Sequence, residues 1–596
     1  MKPFLFLIAL GCVAVARAQD SSPGSPSTAP LPTTTADQPG DITLTPENPV
    51  PNNPLPPIPK LELSTPKEYE PVLPAANPEG ALYGPTIYVK AFEFTGNTVY
   101  DSDTLKRLIA SFTGRKITAD ELEAARQSVT LFYVNHGYIN SGAVLPDQDP
   151  KDGIIHMEIV EGRLTSVEIK GNNWFQTWWL RNEMRQAAGK PLNFDRLKEG
   201  MQLLRENPTI AQVNAELQPA GAPGEAQLKM DVKDTQPFRF GVDVNNYRPP
   251  SVGSAIAEAH LDDLNLTGNN DVLSLTYGIA TSNQDSYEFS GFDNVAAAYR
   301  FPISPWRTTL EIGADKTDSG IIEAPFTDLN IVSKLTEFHA TLRQPVFETP
   351  KRSLVLSFEF DSRRNKTSLF GEPFSLSPGA VDGVEDVSVP RFIQEFVDRS
   401  QDHVFSFRSQ FSYGIDAFHA TINNGPPDGH FFDWLGQAQY IRRLDDRNDL
   451  VIGRLSGQIA DRPLLSLEQL QLGGISSVRG YLENQALTDN GVLATIEFRV
   501  PIWSDKDKNP LVQLAPFVDC GVGWDNVVVP PDPSSSVNLG RQGVVMPSAG
   551  IGVIFNPVKY VSGSLYWGYA FNRREKPTGD SLQAQGIEFT ISCNAF

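Results

Sequence analysis

The chain has 596 residues, enough for several domains or for a small module joined to one large barrel. A formal net charge of −21 argues against nucleic-acid binding, because phosphate contacts need a basic stripe. Three cysteines imply no disulfide framework. No segment of the mature chain reaches the roughly 20 consecutive apolar residues of a spanning helix, which excludes a helical membrane protein but not a barrel with alternating strands.

Residues 1–18 read as a signal peptide. Lys2 supplies the positive end, residues 4–16 the apolar core, and Ala16-Arg17-Ala18 a small-x-small cleavage site. Lipidation at Cys12 is the alternative, set back because the apolar run continues past it. Residues 19–85 are dense in Pro, Thr, Ser and Asn, with a peak at 49–59. Such a composition cannot bury enough apolar surface to offset chain entropy, so an extended, disordered lead is expected.

Two segments of the same grammar follow, 86–162 and 163–236. The first opens with a strand over 87–94, turns at Gly96-Asn97, and continues with a short helix over 102–111. A second helix begins at Thr118, which forms a capping box with Glu121. Leu122, Ala125, Val129, Phe132 and Tyr133 make its apolar face at helical spacing. Strands over 141–145 and 153–160 close the unit. The second segment has a strand over 164–170, the same turn at Gly171-Asn172, helices over 174–188 and 194–206, and strands over 210–218 and 225–234. The Asn193 side chain caps its second helix.

From 237 to 596 the hydrophobic period becomes two. Leu354, Leu356, Phe358 and Phe360 share one face, and Ser353, Ser357, Glu359 and Asp361 the other. Phe405, Phe407, Phe411 and Tyr413 alternate with Ser406, Arg408 and Ser412; Val492, Ala494, Ile496, Phe498 and Val500 alternate with Thr495, Glu497 and Arg499. Aromatics on one face and charges on the other suit a lipid-out, water-in barrel, although a soluble sandwich alternates the same way. Short turns at 304–306, 348–351, 445–448 and 503–510 contrast with long connections at 363–387, 419–430, 463–490 and 527–543. About sixteen strands fit between them, enough to enclose an aqueous lumen. Acidic lumen residues such as Glu359 read as pore lining. Cys520 and Cys593 fall on lipid-facing parity in different strands and are expected as free thiols. Phe596 breaks the parity of the last strand, so either a bulge resets the register or the terminal signal is weak.

The 463–490 connection is too long for a turn and too apolar for disorder. It carries Arg479 on a Gly-flanked turn, and such a loop needs an acid to receive its cation. Asp519, in Phe517-Val518-Asp519-Cys520-Gly521, is the best candidate for a bidentate pair. Leu472-Gly473-Gly474 with Ser477-Val478-Arg479-Gly480-Tyr481, followed by Phe517-x-Asp519-x-Gly521, resembles the two-partner secretion transporters. These haemolysin and filamentous-haemagglutinin exporters share a superfamily with the barrel-assembly factors. The resemblance implies that Val478, Arg479, Gly480 and Tyr481 lie on a loop folded into the lumen. Phe517, Asp519 and Gly521 then lie on the wall that receives it. It also implies that the two repeats are polypeptide-transport-associated (POTRA) modules in the periplasm.

The expected fold is therefore two α+β POTRA-like modules followed by an antiparallel outer-membrane barrel of about sixteen strands. The family often begins with a plug helix, but the Pro density of the lead argues against one here. The expected activity is export of an unfolded secreted partner protein. The strand over 210–218 (Ile210, Val213, Ala215, Leu217) would capture that cargo by edge pairing. Outer-membrane lipids surround the barrel, and the transporter is expected to work as a monomer. The alternatives are an assembly factor that inserts other barrels and, further behind, a passive porin. No phosphate loop, metal-ligand spacing or nucleophile elbow is present, so no catalytic residue, metal or cofactor is expected.

Overall fold

A computed structural model describes residues 86–595, apart from 150–151, 282–288, 323–328, 446, 507–508, 527–542 and 573–580. The expected signal peptide, Pro-rich lead, Cys12 and any plug helix lie outside the described residues. So do Phe596 and nearly all of the 527–543 connection. The described chain divides into two units at Gln236 and Pro237.

The first unit repeats one pattern twice. Its first half holds β1 (Thr86–Val89), β2 (Ala91–Thr95), α1 (Ser102–Leu108), β3 (Arg115–Thr118), α2 (Ala119–Asn135), β4 (Gly142–Val144) and β5 (Ile154–Val160). Its second half holds β6 (Arg163–Lys170), α3 (Thr177–Ala188), α4 (Phe194–Glu206), β7 (Ile210–Pro219) and β8 (Glu225–Asp234). The sheets run β2-β5-β4 and β6-β8-β7, with β2 parallel to β5 and β6 parallel to β8. Each half buries its own core under its helices: Phe92, Leu105, Val129 and Ile155 in one, Val167, Leu180, Leu197 and Val232 in the other. The Thr118–Glu121 capping box forms as read, and the Asn193 side chain accepts from the Arg196 N–H at 3.1 Å.

The repetition is chemical as well as topological. Asn97 Nδ2 donates to the Tyr100 carbonyl at 2.8 Å, and Asn172 Nδ2 to the Phe175 carbonyl at 2.7 Å. A carboxylate at the far end of each half then collects the backbone of that turn. Glu161 accepts from the N–H groups of Thr98 (2.7 Å) and Val99 (2.9 Å), and Asp234 from those of Asn173 (2.9 Å), Trp174 (2.7 Å) and Phe175 (3.0 Å). Tyr133 Oη donates to Glu161 at 3.2 Å; burial and that neighbouring carboxylate push the phenol well above its ordinary pKa, so it stays a donor.

Three local expectations change. The strand over 87–94 is two strands, because the chain switches partners at Lys90: β1 pairs with β3, which the sequence reading missed, and β2 with β5. The helix over 174–188 begins only at Thr177, since the preceding N–H groups are held by Asp234. The 363–387 connection is strand at both ends and shortens to 370–383: Arg352–Leu369 and Val384–Arg399 stay paired out to Lys366 and Val384. Polar alternation at 362–367 reads as loop but is compatible with a ladder that stands in water.

In the second unit, sixteen long antiparallel strands close into a barrel, from Phe238–Asn245 to Ile587–Asn594, which pair with each other at the seam. The exposure pattern inverts that of a soluble protein. Phe358, Tyr413, Ile496, Val518 and Trp567 are exposed on the outside, whereas Asp315, Asp361, Arg391, Arg408 and Glu497 are buried inside. A two-sheet sandwich would place the apolar set inside, so this is a membrane barrel with a polar interior. Connections on one rim are short, such as 349–351, 400–402 and 559–560, and on the other long, such as 370–383, 414–431 and 461–489. Trp306 and Trp503 stand exposed at the short-turn rim, where an indole suits the lipid–water boundary. Among the described residues, neither Cys520 nor Cys593 is in a disulfide. Cys593 keeps the outward parity of Ile587, Phe589 and Ile591, opposite to inward Glu588 and Ser592, and is covered at the seam by its position in register between Val242 and Val561.

Candidate functional site

The longest connection, 461–489, folds back into the barrel. It starts with a turn of 3-10 helix (Ser466–Glu468) and forms a short hairpin, Leu470–Leu472 against Ala486–Thr488. Beyond the hairpin the chain turns tightly. Gly473 N–H donates to Ser477 Oγ at 2.8 Å, and Gly474 N–H to the Val478 carbonyl at 3.1 Å. This compact tip delivers Arg479.

Arg479 is fixed on every side. Its Nε and Nη2 donate to the two oxygens of Asp519 at 2.8 and 2.9 Å, and its backbone N–H adds a third bond at 3.1 Å. Nη1 pairs with Glu497, which also accepts from Arg499 Nε at 2.8 Å. The guanidinium lies 3.6 Å from the Phe517 ring centre and 4.9 Å from that of Tyr566. Phe517 and Asp519 come from the strand Pro510–Trp524, and Glu497 stands directly opposite Phe517 on Asn490–Ser504. Arg479, Glu497 and Asp519 are all buried. A buried guanidinium survives only when paired and hydrogen-bonded, and the wall supplies both carboxylates and two aromatic faces.

Small residues make the seat. A side chain at Gly521 would approach Val478 and Leu472 to 2.8 and 2.9 Å, and one at Gly523 would reach Leu472 at 2.9 Å. The motif glycine on the wall is therefore a groove for the loop's apolar side chains. Gly480 has φ +90°, and a Cβ there would come within 2.7 Å of the Gly568 backbone. Tyr481 is buried, donates through Oη to the Pro547 carbonyl at 3.0 Å and accepts from Asn572 N–H at 3.1 Å. Past it, Glu483 N–H donates to Gln583 Oε1 at 3.2 Å, and Gln583 Nε2 donates to the carbonyls of Asn246 and, at 2.7 Å, Arg248. The tip thus reaches the seam side of the barrel.

The structure brings Val478, Arg479, Gly480, Tyr481, Phe517, Asp519 and Gly521 into one site. Ile210, Val213, Ala215 and Leu217 belong elsewhere, in β7. They pack into the core beneath α3 and α4. The outer edge of β7, an end strand of its sheet, offers backbone instead. Glu497 and Tyr566 were missed as site residues. Glu497 carried a signal in its inward parity beside Arg499, but nothing local marks Tyr566, which arrives from a strand 87 positions after Arg479 (566 − 479).

A sixteen-stranded barrel with an inward loop, in a chain that also carries two α+β modules, defines an outer-membrane transporter of the POTRA-bearing class. The family model for the haemolysin secretion/activation protein ShlB/FhaC/HecB matches residues 224–528, and that for the ShlB-type POTRA domain matches 87–162. The chain belongs to the ShlB/FhaC/HecB family and is a two-partner secretion transporter of the outer membrane, with its modules in the periplasm. It is similar to the outer membrane transporter CdiB of Dickeya dadantii, 24% identical over 71% of this chain and 74% of that one. It is also similar to the heme/hemopexin transporter protein HuxB of Haemophilus influenzae, 22% identical over 71% and 73%. The structure of CdiB from Escherichia coli shares the fold, with a TM-score of 0.67 and 20% identity over 88% of this chain and 94% of that one. The family is one of transporters rather than enzymes, and its members act on a secreted partner protein.

Proposed function

We propose that the chain exports its partner unfolded through the barrel lumen, with the Arg479 loop as the movable element that closes the path at rest. The observation that carries this reading is a charged loop residue held by wall carboxylates inside a polar interior. Hydrogen-bonded charge pairs of this kind are strong while dry and weaken once water or a polar chain reaches them. A loop held so can dock firmly and still be displaced by an incoming backbone rich in donors and acceptors.

Capture falls to the first unit, divided as 86–162 and 163–236. The edge of β7 pairs with extended cargo through its backbone, and the outward residues Gln212, Asn214 and Glu216 supply side-chain contacts. The periplasm holds no nucleotide, so the work comes from binding and from folding of the partner outside. The transporter acts as a monomer within the lipid of the outer membrane.

The test is secretion of the partner, identified by comparing the secreted proteins of cells with and without this chain. In cells producing Arg479→Ala, the barrel assembles and the partner is retained. Normal secretion by Arg479→Ala would remove the role given to the loop. A photo-crosslinker at Asn214 should trap the partner in transit; capture at β4 alone would move the docking edge to the first module.

A further inference from the structure

The base of the lumen loop carries an ion-pair cluster that the Arg479 site does not use. Glu468, at the end of the 3-10 turn, receives Arg391 Nη2 on both carboxylate oxygens, at 2.9 and 3.0 Å. Arg363 Nη1 donates to the Leu467 carbonyl at 3.1 Å and lies 3.4 Å from Glu468 Oε1. In the same turn, Ser466 Oγ and Leu467 N–H donate to Glu385 at 2.8 and 3.2 Å. Arg363, Arg391, Glu385 and Glu468 are all buried. The wall residues stand on Arg352–Leu369 and Val384–Arg399.

Position gives this cluster its meaning. Counted from Phe238–Asn245, the Glu468 cluster stands on the seventh and eighth of sixteen strands and the Arg479 cluster on the twelfth and thirteenth, so their centres are five strands apart (12.5 − 7.5), about a third of the way round the barrel. Asp361 and Asp519 are each the tenth residue from the short-turn end of their strands (352 to 361; 510 to 519). The loop is therefore tied to two separate parts of the wall at a similar depth, with its hairpin between them in sequence.

We propose that Glu468 is a positioning residue that forms a second, independent anchor, making the loop a strap across the lumen that clears the path only when both ends release. The Arg363 and Arg391 guanidiniums keep wall partners of their own, since Arg363 pairs with Asp361 and Glu337 and Arg391 lies 3.3 Å from Asp361 and 3.7 Å from Glu359. Each guanidinium thus keeps a wall carboxylate when Glu468 is removed, whereas this end of the loop loses its ion pair. The strap rests on the reading of the loop as the movable element, and it adds that incoming cargo has to break charge pairs on two faces of the barrel.

The test uses the full chain in intact cells, with Ser476→Cys at the exposed tip and Cys520→Ser and Cys593→Ser to remove the thiols downstream of the expected signal peptide, which carries the third cysteine, Cys12. A bulky, membrane-impermeant PEG-maleimide reports departure of the loop from the lumen, a small maleimide shows that the thiol is reactive, and heat-modifiable gel mobility shows that the barrel is folded. Glu468→Ala and Arg479→Ala should each raise the bulky labelling rate by about tenfold or more. The clusters share no partner, so the double variant should approach the product of the two single effects. Glu468→Gln, which removes the charge with little change of shape, serves if the alanine variant does not fold. Labelling of Glu468→Ala at the parent rate, or of the double variant at the rate of Arg479→Ala alone, overturns the second anchor. If labelling follows both anchors while secretion is unchanged, the strap stands and the transport role of the loop falls.

Discussion

Arg479 and Asp519, 40 residues apart in sequence, are joined by three hydrogen bonds, two from the guanidinium and one from the backbone N–H of the same arginine. The backbone bond makes the pair sensitive to the path of the loop as well as to the side chain. Arg479→Lys keeps the charge but loses the fork and the flat stack on Phe517. It should impair secretion nearly as much as Arg479→Ala, whereas removing one partner of such a buried pair costs the docked loop about 3–5 kcal/mol. Secretion assays of both variants, with barrel assembly followed by gel mobility, check this.

Gly521 is expected to tolerate no side chain while the loop is docked, because Val478 and Leu472 fill the space. Gly521→Leu should leave the strand ladder intact and expel the loop tip. Single-channel recording in planar bilayers should show longer or larger openings than the parent. Unchanged conductance would mean that the tip accommodates the added volume.

Gly480→Ala acts at the same seat by a different route. The residue would have to hold φ +90° and meet the Gly568 backbone at once. Protease digestion from the cell surface should cut the loop faster in this variant, with the barrel fragments still associated.

Asp234 holds three successive backbone N–H groups of the turn before α3. Asp234→Ala leaves these donors without their acceptor and should destabilise its module by about 2–4 kcal/mol, several hydrogen bonds to a charged group being lost together. The measure is accelerated proteolysis within 163–236, with gel mobility of the barrel unchanged.

Asn246 continues the seam beyond the last backbone pair. Its side chain donates to the Ile587 carbonyl at 2.9 Å and accepts from Phe589 N–H at 2.7 Å. Asn246→Ala removes both bonds where the first and last strands already share the fewest register pairs of any neighbours along the long-strand ring. The temperature at which the barrel loses its folded gel mobility should fall by several degrees, in line with a loss of about 1–3 kcal/mol.

Much of this protein was legible in its sequence because the signals are local. A period of two over 237–596, the Thr118–Glu121 capping box and the paired Gly-Asn turns each lie within a few residues, and backbone geometry reads them directly. The Arg479–Asp519 contact was also within reach, because a lone cation on a Gly-flanked loop demands an acid. What the tertiary structure alone decided is which face of each strand meets water, and which distant groups share it. Alternation is the same in a sandwich and in a barrel, and closure of the sheet turns one face into a lumen. That closure brings Glu497 and Tyr566 to Arg479, and Arg363 and Arg391 to Glu468. In the second module, packing of the sheet against its own helices hides Ile210 and Val213, because a strand's apolar side turns toward its helices whatever its edge is used for. A sequence states what each residue can pair with, while the choice of partner is made by strand order and register, which no single segment contains.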